Sequence, residues 1–392
     1  MKRIAWLVAT ISAFGFALTR VSTLPPAAFD IDATERPVVS LEPVPLFETR
    51  FASSGVTPSV HSATAVELSD GKIRAFWYGG SREGAKDVAI YTSVFDAERG
   101  RWSRELVVTT RTGTQADVRR YVKKLGNPVV SRDHDGRLWL FYVSVSVGGW
   151  SGSAINYRVS EDEGESWSAA SRLVTSPFLN ISTLVRGPAV LYADGTQGVP
   201  VYHELLGKFG EYIRLGREGR VLDKARMSSG YSSLQPVVVP LDTVRAVGLM
   251  RTSGNSPTSV LSVETGDGGS SWSAITPTPL ANPDAAIAAL RISSGELLVA
   301  FNDSEHDRSN LSLALSENDG DSWELVHVFE PPAPVDIASA ARFAYPWLLE
   351  STDGKLHLLY TWERDRIVHV RFNRAWLLGQ SVSGGNPAVI RR

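Results

Sequence analysis

The chain of 392 residues contains no cysteine. That absence excludes disulfides, thiol catalysis and a lipobox anchor, and it leaves the compartment open. Charge of either sign is not in excess: 40 Lys and Arg against 42 Asp and Glu give a formal net charge of −2. A balance so near zero argues against a nucleic-acid or polyanion-coating role. After residue 40 almost no stretch keeps a helical periodicity of apolar residues. The one long uncharged apolar run is Ile4 to Thr19, with Lys2-Arg3 before it and Arg20 after it. A basic start followed by such a run has the form of a secretory signal. At about 16 residues it is short for a spanning helix, so an uncleaved anchor and a buried N-terminal helix stand as the alternatives. No clean A-x-A cleavage site follows, and a linker opens near Pro25-Pro26-Ala27-Ala28. The expected organisation is a signal peptide or signal anchor over 1–28, a linker over 29–40, one large unit over 41–376 and a C-terminal tail over 377–392. Export is expected, to the periplasm, the medium or the outer face of a bacterial inner membrane, with residues 4–19 as a membrane tether in the last case.

What is present is repetition. Ser160-Glu161-Asp162-Glu163-Gly164-Glu165-Ser166-Trp167 recurs as Thr265-Gly266-Asp267-Gly268-Gly269-Ser270-Ser271-Trp272 and as Ser316-Glu317-Asn318-Asp319-Gly320-Asp321-Ser322-Trp323. A worn copy lies at Phe95-Asp96-Ala97-Glu98-Arg99-Gly100-Arg101-Trp102. The Trp positions are 102, 167, 272 and 323, with intervals of 65, 105 and 51, and 105 is about two units of 52. One unit, near residues 215–230, has therefore lost its copy. A second series keeps the same period: Asp70-Gly71, Asp135-Gly136, Asp194-Gly195, Ser294-Gly295 and Asp353-Gly354, each between apolar, β-rich runs. Those are hairpin signals. Self-similarity at about 50 residues with four strands per unit predicts a β-propeller, and 41–376 holds six blades. A pair of β-sandwiches would explain the strands but not the repeated octapeptide.

The octapeptide resembles the Asp box of sialidase-type propellers, a folding device in which the acidic side chain bonds its own turn and the Trp plugs the gap between sheets. The chain resembles the sialidase superfamily, in particular bacterial BNR-repeat, sialidase-like proteins, over nearly all of its length after the signal segment. The resemblance implies an all-β, six-bladed fold and an exo-acting glycosidase that removes a terminal acidic sugar from a glycan. It implies a tyrosine nucleophile, which makes sialidases an exception among glycosidases. Tyr345, opening Tyr345-Pro346-Trp347-Leu348-Leu349-Glu350, stands where the family keeps that residue. Arg251 and Arg308 stand where it keeps two of its three carboxylate-binding arginines. Arginine suits that role because its planar fork meets a carboxylate through two parallel bonds. The acid/base loop corresponds to Gly79-Gly80-Ser81-Arg82-Glu83-Gly84-Ala85-Lys86-Asp87. Glu83 lies nearer the acid position; Asp87 is the competitor, or else the anchor of the turn.

Two positions depart from the family. Gln235 replaces the glutamate that assists the tyrosine, and an amide can bond a phenol but cannot take its proton. His61 replaces the first arginine, either as a carboxylate donor charged below about pH 6.5 or as an acid or base. Arg82 is expected to restore part of the lost positive charge. Trp362 and Arg364, in Tyr360-Thr361-Trp362-Glu363-Arg364, form an aromatic and cationic cluster suited to stacking a sugar ring. His203, Glu204, Arg186 and Trp150 are further candidates for the same mouth. No metal-ligand spacing, phosphate loop or Ser-His-Asp signature stands out, so no cofactor is expected, and the state expected is a monomer. The departures keep two other readings open: a lyase or hydrolase acting on uronate-containing glycans, and a glycan-binding propeller without turnover.

Overall fold

Alternating and fully apolar strand-length runs, punctuated by Asp-Gly and Ser-Gly, give the chain its sheets. The computed structural model describes residues 26–31, 44–176, 180–254, 256–329, 342–383 and 389–391. The expected signal segment and the tether over 4–19 lie outside these residues. Six antiparallel sheets follow one another along the chain. Their innermost strands are Ser59–Glu67, Lys124–Arg132, Leu184–Val185, Ser233–Pro240, Ala288–Arg291 and Phe343–Glu350. Each sheet packs on the next, and the sixth packs on the first, so the blades form a closed ring. The ring is closed by strand pairing: Phe47–Phe51, ahead of the first blade in sequence, pairs with Arg366–Phe372 and completes the sixth blade. A ring closed in this way leaves only short, protected edges.

Blades packed on both faces need strands that are apolar throughout. Leu138–Val145 (LWLFYVSV) is buried along its whole length, and so is Ile73–Gly80. Antiparallel order puts two kinds of connection at opposite ends of the ring. The hairpins joining first and second strands share one end with the octapeptide turns. The loops joining second and third strands, and the passages between blades, occupy the other. Gly71, Gly136, Gly195, Gly295 and Gly354 all have positive φ at the hairpins of the first end, the region that favours glycine.

The three octapeptide turns share their Ser or Thr and Asp or Asn bonds, and the first two add a tryptophan bond that the third lacks, its buried Trp323 Nε1 having no hydrogen-bond partner among the described residues. In the first, Gly164 N donates to Ser160 Oγ (2.8 Å), Ser166 N to Asp162 Oδ1 (2.8 Å) and Trp167 Nε1 to Gly164 O (3.1 Å). The second repeats this with Gly269, Thr265, Ser271, Asp267 and Trp272 at 3.0, 2.9 and 3.1 Å. The Ser166 side chain and backbone, with Ser160, hold the Asp162 carboxyl down at about 2. Each Trp reaches the preceding blade: Trp167 meets Phe76 edge-on, Trp272 meets Tyr212, and Trp102 of the worn copy meets His369. The third blade lacks a copy, as the sequence period implies. Its turn carries Gly219, where an added Cβ would lie 2.5 Å from the Tyr157 hydroxyl. Tyr157, packed 5.3 Å from Trp139, fills the gap from the second blade instead.

Two segments expected as appendages are packed. The linker was expected to open near Pro26, but Phe29 stacks on Tyr192 at 5.1 Å, and its N–H donates to Thr243 O at 2.7 Å. Ala28 O accepts from Ala193 N at 2.9 Å, so residues 26–31 strap the third blade to the fourth. In the expected tail, Leu377 is fully buried, and Val389–Arg391 adds a strand to the fifth blade. An apolar helix face and an open sheet edge both gain by docking there. Among the described residues no helix is long and apolar enough to cross a membrane.

Candidate active site

The end of the ring opposite the octapeptide turns carries a distortion in every blade. Ser62, Asn127, Ser182, Gln235, Asp284 and Tyr345 are non-glycine residues with φ between 44° and 62°, one per blade, at or just ahead of the innermost strand. In four blades this is a bulge: strand register shifts between His61 and Thr64, Gly126 and Val129, Leu234 and Val237, and Ala344 and Trp347. A bulge turns a strand side chain out of alternation and re-aims it. Three of the six precede proline (Asn127-Pro128, Gln235-Pro236, Tyr345-Pro346), which has no N–H for a ladder to lose. A left-handed tyrosine costs about 1–3 kcal/mol and persists only where its surroundings fix it.

Those surroundings are a chain of polar contacts. Tyr345 Oη accepts from Gln235 Nε2 at 3.0 Å, and Gln235 Oε1 accepts from Arg251 Nη1 at 3.2 Å. Arginine has no acceptor, so the carboxamide oxygen must face Arg251 and its NH2 the phenol. Arg251 Nε lies 3.0 Å from the Asp284 carboxylate, and the Asp284 carbonyl accepts from Arg308 Nη2 at 2.5 Å. Beneath Tyr345, the buried Arg186 guanidinium lies 5.2 Å from the ring centre and donates to Pro346 O at 2.8 Å. Burial pulls Arg186 down to about 10. Buried Tyr202 accepts from Asn127 Nδ2 at 3.0 Å and from Gln235 Nε2 at 3.4 Å, and burial pushes its phenol up.

His61 lies against Tyr345, ring centres 4.3 Å apart, and is 2% exposed. Burial first, then the charges of Arg364, Arg308 and Arg186, hold its imidazole well below the ordinary value. Burial therefore disfavours the charged carboxylate-donor form of His61, and its buried Nδ1 has no hydrogen-bond partner among the described residues. The positive charge at that corner comes from Arg364, whose Nη1 meets the Glu83 carboxylate across the mouth. Glu83 also faces Tyr78, whose phenol is pushed up by burial and then by the Glu83 charge. Burial raises the Glu204 carboxyl, against the pull of Arg251.

Tyr345, Gln235, Arg251, Arg308, His61, Glu83 and Arg364 therefore meet at one mouth. Four expected residues stay apart from it. Asp87 accepts from Ser81 N and Ser81 Oγ, both at 2.9 Å, so it anchors the loop. Arg82 is exposed on that loop. Trp362 packs edge-on to Phe343 at 4.8 Å, so its ring is already engaged within the sixth blade. His203 likewise stacks on Phe209 at 4.9 Å. Asp284, Tyr202 and Asn127 escaped sequence reading; the turn Asn282-Pro283-Asp284 was the available signal for the first. Among the described residues no group of three or more acidic or histidine side chains is placed to hold a metal.

The mouth carries four guanidinium groups, and two of them, Arg186 and Arg308, bond to backbone carbonyls rather than to carboxylates. It is built to attract an anion. Residues 71–358 match the BNR repeat-like domain. No curated protein matches the sequence. Among solved structures, a Hadza microbial sialidase superposes with TM-score 0.67 at 15% identity, covering 82% of this chain and 67% of that one. The intramolecular trans-sialidase from Ruminococcus gnavus, in complex with oseltamivir carboxylate, superposes with TM-score 0.62 at 14% identity, covering 88% and 99%. The Trypanosoma rangeli sialidase gives TM-score 0.64 at 16% identity, covering 88% and 60%. The chain belongs to the BNR repeat-like family and has the six-bladed fold of the sialidases.

Proposed function

We propose that the protein is an exo-acting glycosidase of sialidase type, hydrolysing a terminal acidic sugar, sialic acid or a related nonulosonic acid, from a glycan. The observation that carries this reading is the unbroken contact chain from Tyr345 through Gln235, Arg251 and Asp284 to Arg308, which sets a phenol beside guanidinium groups. Arg251, Arg308 and Arg364 would hold the sugar carboxylate. Once the sugar carboxylate draws Arg364 away from it, Glu83 would take up a proton from water and give it to the leaving oxygen as the glycosidic bond breaks, while Tyr345 Oη forms the bond to the anomeric carbon. A neutral nucleophile avoids repulsion by the sugar carboxylate. Gln235 donates to the phenol oxygen, which stabilises negative charge there without removing the proton. The phenol proton passes to a water in the mouth. A second water then attacks the anomeric carbon, its proton going to the Glu83 carboxylate as the tyrosyl–sugar bond breaks, and the departing phenolate recovers a proton from water.

Two observations favour other readings. Gln235 cannot act as a base, which favours a glycan-binding propeller without turnover. The neutral His61, with its unpartnered Nδ1, suits proton abstraction in a lyase acting on a uronate. A fluorogenic nonulosonic-acid ketoside separates them. Free acid released by the wild type and lost in Tyr345→Phe supports the glycosidase. An unsaturated-uronate absorbance without free acid supports the lyase, and saturable binding without product supports the binding protein. We also propose that the N-terminal segment directs export, so that the enzyme meets its glycan outside the cytoplasm.

A further inference from the structure

Although the whole chain is nearly neutral, one edge of the mouth is not. Arg119-Arg120-Tyr121-Val122-Lys123-Lys124 places four cations in six residues, immediately after the helix Arg111–Val118. Arg119, Arg120, Tyr121 and Lys123 are exposed, and the segment is held firmly. Val122 is buried, its N–H donates to Gln115 Oε1 at 3.2 Å, and its carbonyl accepts from Arg111 Nη1 at 3.0 Å. The nearby acid Asp117 is already paired with Arg158 at 2.6 Å.

Arg120 and Tyr121 line an open cavity of about 600 Å³ together with the Ser146–Gly152 turn, Arg172 and Leu205. That volume lies within the roughly 300–1,000 Å³ range of small-molecule sites. Arg172 donates to the Asn180 carbonyl, and its buried Nε has no partner among the described residues. Both guanidinium groups line this cavity, and burial first, then the Arg120 charge, works against the charge of Arg172. The cavity begins where the mouth ends. Lys124 Nζ sits 3.7 Å over Trp150, its stem lies against Gly84 of the Glu83 loop, and Leu205 follows Glu204.

We propose that this cavity is a second anionic subsite, and that the substrate is an oligo-anionic glycan whose terminal acidic sugar enters the mouth while the carboxylate of the next sugar binds Arg120 and Arg172. This rests on the glycosidase reading, since the sugar in the cavity is the leaving group. Guanidinium forks suit a carboxylate, and the exposed Tyr121 ring offers a face to the pyranose.

The test is calorimetric binding to the full chain carrying Tyr345→Phe, with two probes: an α-linked nonulosonic-acid dimer and the monomer methyl ketoside. The dimer is expected to bind about tenfold more tightly than the monomer, as one charge-assisted contact allows. Arg120→Ala, at an exposed position that does not threaten folding, should remove most of that gain and leave monomer affinity unchanged. Equal affinities for the two probes overturn the proposal, as does a dimer advantage that survives both Arg120→Ala and Arg172→Gln. Turnover of the monomer ketoside by the wild type reports on the mouth alone. If turnover fails while the dimer advantage still depends on Arg120, the glycosidase reading falls and the subsite stands.

Discussion

The two ends of the ring use sixfold repetition in opposite ways. At the end with the octapeptide turns, three blades repeat the same side chains because the same bonds recur: glycine N–H donates to Ser or Thr, and the next serine N–H donates to Asp or Asn. At the mouth, the backbone recurs and the side chains do not. One left-handed residue per blade presents Ser62, Asn127, Ser182, Gln235, Asp284 and Tyr345. Stability favours a repeated solution, whereas a binding site needs different groups at equivalent places. A propeller can satisfy both because the two demands fall at opposite ends of its strands.

The division predicts separable damage. Tyr345→Phe should lower kcat by on the order of 10³-fold or more while the melting temperature stays near that of the wild type. A comparable loss of stability would mean that the mouth also holds the ring together. Trp323→Ala, at the opposite end, removes a side chain that is 1% exposed. It should cost about 3–5 kcal/mol in denaturant unfolding and leave KM unchanged; a shifted KM would break the separation. Gln235→Ala leaves the phenol and Arg251 without their shared amide. It should lower kcat by roughly 10–100-fold, less than Tyr345→Phe, through the lost hydrogen bonds. Equal small effects of the two changes would remove Tyr345 from the reacting role.

The smallest effect concerns pH. Burial holds His61 and His369 neutral, well below the ordinary histidine value; Arg364, Arg308 and Arg186 add to this at His61, and His357, Arg50 and Arg371 at His369. The unfolded chain then binds more protons than the folded one below about pH 6.5. Stability is complete above that value and falls as pH drops toward the folded pKa values. The turn carboxylates, such as Asp162 at about 2, act only in a lower window. Melting temperature should decline from pH 7.5 to 5, and His369→Gln should flatten the decline. A flat wild-type profile would contradict the assignment.

The turns were legible because the bonds that shape them are local: the Ser or Thr and Asp or Asn partners lie within four residues, so eight letters carry the turn. Tyr345, Arg251, Arg308, Gln235 and Glu83 were legible by resemblance, and they do meet. The charge state of His61 was not, because it depends on burial and on guanidinium groups from three other blades. Asp284 and Tyr202 were hidden for the same reason, since their partners lie far along the chain. The X-Pro steps at Asn127, Gln235 and Tyr345 mark the bulges, but only once the strands around them are known. Trp362 misled because an aromatic near a mouth looks the same in sequence whether its face is free or packed.

The account is tested most directly by a crystal structure of the protein with a planar, unreactive acidic-sugar analogue. It predicts the carboxylate of the analogue between Arg251 and Arg308, with the anomeric carbon over the Tyr345 hydroxyl and Glu83 on the leaving-group side. An analogue bound away from Tyr345, or with its carboxylate on neither Arg251 nor Arg308, would contradict it.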